Sequence, residues 1–218
     1  MGEAEINHVE KTITVYSHLV IYGDAADEEV TERVRKEIDL MWNEPEAVVY
    51  LNPTHYRVFF RITSQLKKEL DQMEVIQNLD PRNNYFRIED FIHGNISFVD
   101  GIGCNSGFFL LENLYDGSTT AAHEYGHTLG LVHPRVADIR SQGRPGIMYP
   151  RGSLVDAEYQ YDPSKPAGVT GGTMHPMHRK VRQKDIEHLQ LHKLRFQNNK
   201  AIAGAFTNIY HWPHKKYV

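Results

Sequence analysis

The pattern of apolar and polar positions predicts alternating strands and helices over the first third of the chain. Residues 12–22 are rich in β-branched and aromatic side chains, which predicts a strand that ends at Gly23. Apolar residues then recur at helical spacing, at Val30, Val34, Ile38, Met41 and Trp42. Residues 48–51 and 57–62 predict two further strands. Because strands joined through a helix pair in a right-handed crossover, this order predicts a mostly parallel sheet.

The remaining pattern predicts three more helices and three short strands. The helices cover about residues 66–76, 118–129 and 181–196, the middle one with Ser118 as its N-cap and Gly130 at its end. The strands cover residues 85–88, 96–99 and 107–111. Residues 134–177 contain six prolines and many glycines without periodicity, which predicts an irregular segment.

Composition excludes several classes of protein. The 218 residues are 40% hydrophobic and 24% charged, which is typical of a globular protein and not of a disordered one. No apolar run reaches the ~18 to 20 residues of a membrane span, so we expect no membrane partner. The start of the chain also lacks the pattern of a signal peptide. The chain is therefore expected either in the cytoplasm or as a secreted or delivered part of a longer precursor.

The charge is unevenly distributed along the chain. The formal net charge is −4, yet residues 179–218 carry nine Lys and Arg against Asp185 and Glu187. Such a basic segment is typical of a solvated helix face followed by a basic tail. Nucleic-acid binding is disfavoured because no aromatic residues alternate with the basic ones and no binding motif is present.

Residues 123–133, HEYGHTLGLVH, contain the strongest chemical motif of the sequence. On a helix, His123 and His127 are four residues apart and project from one face, at the separation that two ligands of one Zn²⁺ require. Glu124 lies beside them and is placed to accept a proton from water. Gly130 permits a sharp turn that brings His133 to the metal as a third ligand. Three histidines leave the fourth position open, which is typical of a catalytic zinc site.

This string matches HExxHxxGxxH, and the chain therefore resembles the metzincin clan of zinc endopeptidases. The resemblance implies an α+β catalytic domain with two lobes. It has a twisted, mostly parallel sheet with one antiparallel edge strand, an active-site helix, and an irregular lower lobe with a Met-turn and a C-terminal helix. We expect a single domain over residues 1–218, with the upper lobe at about 10–130, the lower lobe at about 131–197 and a basic tail at 198–218.

Two methionines are candidates for the Met-turn that the resemblance implies. Met148, in the string GIMYP, is favoured over Met174, in GTMHP, because an apolar residue precedes it and the string is similar to the matrixin turn. The chain departs from the known subfamilies after this point, since Gly152 stands where a matrixin has tyrosine. Tyr149 and Tyr161 are candidates for the substrate or transition-state contact that a tyrosine makes in related subfamilies.

Other candidate clusters have simpler interpretations. His188 and His192 are also four residues apart, but without an adjacent Glu or a third partner a surface or packing role is favoured over a second metal site. Cys104 is the single cysteine, which excludes an internal disulfide and a multi-cysteine zinc site, and an inert thiol is expected.

The sequence thus predicts a zinc-dependent endopeptidase that acts on peptide or protein substrates as a monomer. His123, His127 and His133 would hold Zn²⁺ and Glu124 would be the general base. A substrate strand would lie antiparallel to the edge strand, for which residues 96–99 are the candidate.

Two further hypotheses remain open. In the first, the chain is a metzincin-type toxin or effector domain delivered to target cells and inhibited by an immunity protein, where a protease would instead have a propeptide. In the second, the chain holds zinc without catalysis. This second hypothesis requires that residues 134–177 block the cleft, and the presence of Glu124 disfavours it.

Overall fold

The computed structural model describes residues 1–215 and contains one central sheet with short helices around it. The strands are β1 (Gly2–Asn7), β2 (Thr12–Tyr22), β3 (Val48–Leu51), β4 (Thr54–Leu66), β5 (Asn83–Glu89), β6 (Phe98–Val99), β7 (Ser106–Leu110) and β8 (Lys200–Ala203). The helices are α1 (Glu28–Asn43), α2 (Gln72–Ile76), α3 (Thr120–Thr128) and α4 (Gln183–His188). The strands predicted at residues 12–22, 48–51 and 85–88 are confirmed.

The centre of the sheet is parallel, as the strand–helix–strand order predicted. Strand β2 pairs in parallel with β4 on one side and β5 on the other, and β5 pairs in parallel with β7. The strand order is β3-β4-β2-β5-β7-β6. The expectation of one antiparallel edge strand is corrected, because both β3 and β6 are antiparallel to their neighbours. The predicted strand at 96–99 shortens to the two residues of β6.

Helix α1 lies between β2 and β4 in the chain and connects the sheet to helix α3. The Asp27 side chain caps its first turn by accepting a hydrogen bond of 2.7 Å from the Val30 N–H. The apolar positions predicted from the sequence are buried on one face of α1, with Met41 half-buried. This face contacts β4 and α3, so α1 joins the central sheet to the helix that carries the HExxH motif.

Two helix predictions were too long, for local conformational reasons. The helix expected at residues 66–76 is reduced to α2, because strand β4 continues to Leu66. The helix expected at residues 181–196 ends with α4, because Gln190 adopts a left-handed backbone conformation before a short 3₁₀ turn at Leu191–Lys193. His188 and His192 therefore do not share one helix.

Strands β1 and β8, which lie far apart along the chain, are neighbours in the sheet. Strand β1 pairs with β2 and also with β8, so that Glu3 lies opposite Ile202. Residues 198–218, expected as a basic tail, thus contain a strand of this sheet. Beyond β8, the Asn105 side chain accepts hydrogen bonds from the N–H groups of Thr207 and Asn208. Residues 216–218 of the expected domain lie outside the described residues.

Residues 134–177 are irregular, as predicted, with 3₁₀ turns at Ala157–Tyr159 and Pro176–His178. This segment shares its core with the sheet, because the buried Ile147 and Met148 belong to the same apolar cluster as α1 and β4. Within residues 1–215, no helix combines the length and apolar character needed to cross a membrane.

Candidate active site

Helix α3 is positioned by side chains that satisfy its first backbone groups. The predicted N-cap was Ser118, but the structure has Thr119 at that position, in a left-handed conformation and without a side-chain cap. The carboxylate of Glu37, on α1, substitutes for the missing cap by accepting a hydrogen bond of 3.1 Å from the Ala122 N–H. The Trp42 indole donates to the Ala122 carbonyl at 3.1 Å. Helix α1 thereby holds the N-terminal half of α3 in place.

The chain turns sharply after α3, at the glycine that the motif contains. Gly130 has a φ of +99°, the left-handed region that glycine adopts without strain. The turn brings the Leu131 carbonyl to 2.8 Å from Nδ1 of His127. It also returns His133 to the two histidines of α3.

The three histidines converge on one point through their Nε2 atoms. Nε2 of His133 lies 3.0 Å from Nε2 of His123 and 3.1 Å from Nε2 of His127. Those separations are close to the distance of about 3.3 Å between two ligand atoms of a tetrahedral Zn²⁺ site. Among the described residues, His123, His127 and His133 are the group of side chains whose ligand atoms lie close enough together to hold one metal ion.

Hydrogen bonds at the opposite ring atoms orient two of these rings. Nδ1 of His123 lies 2.7 Å from the Ile147 carbonyl, and Nδ1 of His127 makes the equivalent bond to Leu131. Because a carbonyl only accepts, both Nδ1 atoms carry the proton and both Nε2 atoms present lone pairs to the cluster. Only the His133 ring could then carry its proton at Nε2. One proton cannot form hydrogen bonds in both the 3.0 Å and the 3.1 Å contacts between these nitrogens. A divalent cation fits this donor set.

The protonation of the rings favours the same interpretation. Burial, and secondarily the positive charge of Arg179, lowers the pKa of His123 well below its usual range. Burial also lowers the pKa values of His127 and His133. The rings are therefore neutral near pH 7, as a metal ligand must be.

Glu124 lies beside the histidines in the same cavity, which has a volume of about 540 Å³. Its side chain is buried, and burial raises its pKa to about 8, while Arg179, the Val99 backbone and Arg151 act in the opposite direction. A carboxyl group with a pKa near neutrality suits proton transfer. Residues 134–177 contribute Pro150 and Arg151 to the cavity wall and do not block it.

Met148 lies directly beneath α3. Its sulfur approaches the Cα of Gly126 so closely that a methyl group at that position would overlap it. The preceding residue, Ile147, provides the carbonyl that orients His123. Met174, the other candidate for the Met-turn, is buried in a separate apolar cluster with Ile139 and Val155.

The candidate tyrosines lie outside the cavity that contains Glu124. Tyr149 packs against the cluster of Ile139, Val155 and Met174 and lines a neighbouring cavity that also reaches His133. Its carbonyl accepts a hydrogen bond of 3.3 Å from Arg179. Tyr161 packs against His175, with 4.4 Å between the ring centroids.

Sequence reasoning missed the two arginines of the cavity, Arg151 and Arg179, and also the role of Glu37 at α3. Arg179 was noted only as part of a basic segment, although its side chain is 3% exposed. No local spacing connects these residues to residues 123–133. Their positions depend on how the lower segment folds back beneath α3, which the sequence pattern does not indicate.

No protein-family model matches the chain, and no curated protein matches it in sequence. Among solved structures, the chain is similar to the crystal structure of archaemetzincin from Methanopyrus kandleri, with 10% identity and a TM-score of 0.42. The match covers 81% of this chain and 95% of that one.

Proposed function

We propose that this chain is a zinc-dependent endopeptidase. The observation that supports this proposal best is the convergence of three neutral histidines, two of them oriented by backbone carbonyls, beside the buried carboxyl group of Glu124. Three nitrogen ligands with an open fourth position and an adjacent carboxyl group are the parts that metal-assisted hydrolysis of an amide requires.

Each residue has a distinct role in this proposal. His123, His127 and His133 hold the metal, which when bound polarises the scissile carbonyl and lowers the pKa of the attacking water. Glu124 accepts a proton from that water and passes it to the leaving amine. Met148 is the Met-turn residue and supports His123 and Gly126 from below. Tyr149 has no assigned contact with the substrate, because its ring lies against another cluster.

Strand β6 supports an extended peptide as the substrate. It pairs with β7 on one side, and residues 95–99 line the catalytic cavity on the other. A peptide that pairs with this edge would pass over Glu124 and the histidines. Because the cavity lies along a strand edge, cleavage within a chain is expected.

The proposal is tested by measuring metal content and hydrolysis together. The purified protein is expected to bind about one zinc per chain and to cleave an unfolded protein substrate in a chelator-sensitive manner. Glu124→Gln should keep the zinc and the fold and lose cleavage by at least about a hundredfold. Equal cleavage rates for the parent and Glu124→Gln would refute the mechanism.

Two matched variants separate loss of the metal from loss of a histidine as such. His127→Ala should lower zinc affinity and abolish the loss of thermal stability that a chelator causes in the parent. His192→Ala removes an exposed histidine elsewhere and should leave both properties unchanged. If a chelator does not affect the stability of the parent, the three histidines do not hold a structural or catalytic metal.

The hypothesis of a delivered toxin uses the same chemistry with a different partner and stays a prediction. The non-catalytic hypothesis required that residues 134–177 fill the cleft. The open cavity beside Glu124 removes that support.

A further inference from the structure

We propose that the cavity beside Glu124 binds an acidic side chain, so that the enzyme cleaves peptide bonds followed by Asp or Glu. This inference rests on the proposed peptidase function and specifies its substrate class. It arises from two arginines that the proposed hydrolytic step does not use.

The location of the cavity determines which substrate residue enters it. Thr120 lies one helical turn before Glu124 on α3, and it lines the cavity together with Asn113, Arg151 and Arg179. The cavity therefore extends from the histidines past Glu124 towards the N-terminus of α3. Because Glu124 delivers a proton to the leaving amine, the residue that carries this amine lies on the same side. Its side chain points into the part of the cavity that contains the arginines.

Arg179 is a buried cation with unused hydrogen-bond donors. Its Nε donates to the Thr119 hydroxyl at 2.8 Å, and its terminal nitrogens donate to the carbonyls of Tyr149 and Ser118, each at 3.3 Å. A guanidinium group has five N–H donors, so two of them have no hydrogen-bond partner among residues 1–215. The bonds also fix the orientation of the group.

The charge of Arg179 is incompletely neutralised. Burial lowers its pKa to about 10, so it remains a cation at neutral pH, and Glu124 and Glu37 only partly oppose this shift. Glu37 is engaged at the N-terminus of α3, where it accepts from Ala122. Burying a charge without a direct partner is costly, and a carboxylate from the substrate would remove this cost.

Arg151 adds a second cation on the same cavity wall. Its terminal nitrogen donates to Oδ1 of the buried Asn113 at 3.0 Å. The Asn113 amide in turn contacts the Ser97 hydroxyl at 3.4 Å, just before β6. Arg151 also lowers the pKa of Arg179, because the two positive charges repel each other. A carboxylate between them would relieve this repulsion and accept charge-assisted hydrogen bonds from both.

Glu124 is the carboxylate among the described residues that line this cavity, and its own role is in proton transfer. The apolar side chains of the lining include Ile96, Phe98 and Ile102, all from the segment around β6. These residues belong to the wall along which the substrate backbone would lie. An aliphatic substrate side chain would leave the two free donors of Arg179 without acceptors and without water, which is unfavourable.

The first experiment maps cleavage sites in an unfolded protein mixture by mass spectrometry. It is followed by rates on matched peptides that carry Glu, Gln or Leu after the scissile bond. The parent should cleave the Glu peptide about 10- to 100-fold faster than the Gln peptide, as expected for hydrogen bonds between charged groups. Arg151→Gln should reduce this ratio at least about fivefold, and Arg151→Glu should shift the preference towards Lys. Arg140→Gln, an exposed arginine that pairs with Asp138, should keep the parent ratio.

A binding measurement gives a result without turnover. Short peptides that begin with Glu or Gln, equivalent to the released fragment, are titrated into the zinc-loaded Glu124→Gln variant by calorimetry. The Glu peptide should bind at least about tenfold more tightly, and Arg151→Gln should reduce that difference in affinity at least about fivefold, since Arg179 is retained. Arg179 is left unaltered in these tests because its side chain also supports Thr119 and Ser118.

The failure of this inference differs from the failure of the proposed function. Cleavage that depends on Glu124 but prefers Leu, or that ignores the charge of this residue, overturns the acidic pocket and keeps the peptidase. Equal affinities for the Glu and Gln peptides overturn it as well. Cleavage that persists in Glu124→Gln overturns the peptidase mechanism itself.

Discussion

Gly126→Ala tests whether Met148 supports the histidine-bearing helix by direct contact. A methyl group at residue 126 would overlap the sulfur of Met148 and come within 3.2 Å of Cζ2 of Trp42. Met148 and Trp42 are both buried, so neither side chain can move into solvent without opening a cavity. Gly126→Ala therefore has two opposing effects on stability: alanine favours the helix more than glycine does, and its methyl group overpacks the core.

The two effects have comparable magnitudes. Alanine stabilises a helix interior by about 1 kcal/mol relative to glycine. Overpacking a close-packed core costs about 1–3 kcal/mol. In the parent, Gly126→Ala should therefore lower the free energy of unfolding by about 0–2 kcal/mol. In a Met148→Ala background the overlap with sulfur is absent, and the same change should be neutral or stabilising by up to about 1 kcal/mol.

A double-mutant cycle measures the difference directly. Free energies of unfolding come from urea titrations of the zinc-loaded parent, both single variants and the double variant. Met148→Ala alone should cost about 2–5 kcal/mol because it leaves a cavity. The coupling energy between the two sites should be about 1–3 kcal/mol and favourable to the double variant.

The control pairs Gly126→Ala with Met177→Ala, a methionine whose side chain is half exposed. This pair should show no coupling beyond about 0.5 kcal/mol. If Gly126→Ala changes the free energy of unfolding equally in the parent and in the Met148→Ala background, the contact between Met148 and α3 does not constrain residue 126. The assignment of Met148 as the support of the proposed metal site would then be wrong.

Two further predictions concern buried carboxyl groups. Glu37→Ala removes the acceptor of the Ala122 N–H and should lower the free energy of unfolding by about 1–3 kcal/mol in urea titrations. The control is Glu29→Ala on the same helix. The Glu29 side chain is 87% exposed, so this change should alter the free energy of unfolding by less than about 0.5 kcal/mol. For Asp185, burial raises the pKa in the folded state, so the folded protein binds a proton more readily than the unfolded chain. The parent should therefore lose stability relative to Asp185→Asn as the pH rises from about 4, and a difference that does not vary with pH would contradict this.

The sequence was most informative where a feature depends on local spacing. Strand β2 follows from its β-branched and aromatic content, and helix α1 follows from the helical spacing of its apolar positions, which are buried on one face. The convergence of His123, His127 and His133 follows from helical spacing and from one glycine turn. Eleven residues of chain, 123–133, contain all three histidines, so little tertiary information was needed.

Features that depend on distant parts of the chain could not be predicted. Glu37 substitutes for a missing cap on a helix 85 residues away in sequence, and no pattern near Thr119 indicates this. Arg179 reaches Thr119 and Ser118 only because the lower segment folds beneath α3. The length predicted for the last helix, residues 181–196, was wrong because Gln190 has a left-handed backbone conformation. It interrupts the helix although the apolar residues continue at helical spacing.

The pairing of β1 with β8 has a consequence for the order of assembly during synthesis. Glu3 and Ile202 are neighbours in the sheet although about two hundred residues of chain separate them. During synthesis, residues 2–7 leave the ribosome well before their outer partner β8, which emerges only after all three histidines have been made. The parallel strands and the three histidines can therefore meet while β1 still has one free edge. That edge closes only after residues 200–203 have been synthesised, which is slow relative to local folding and leaves β1 exposed to incorrect pairing until then.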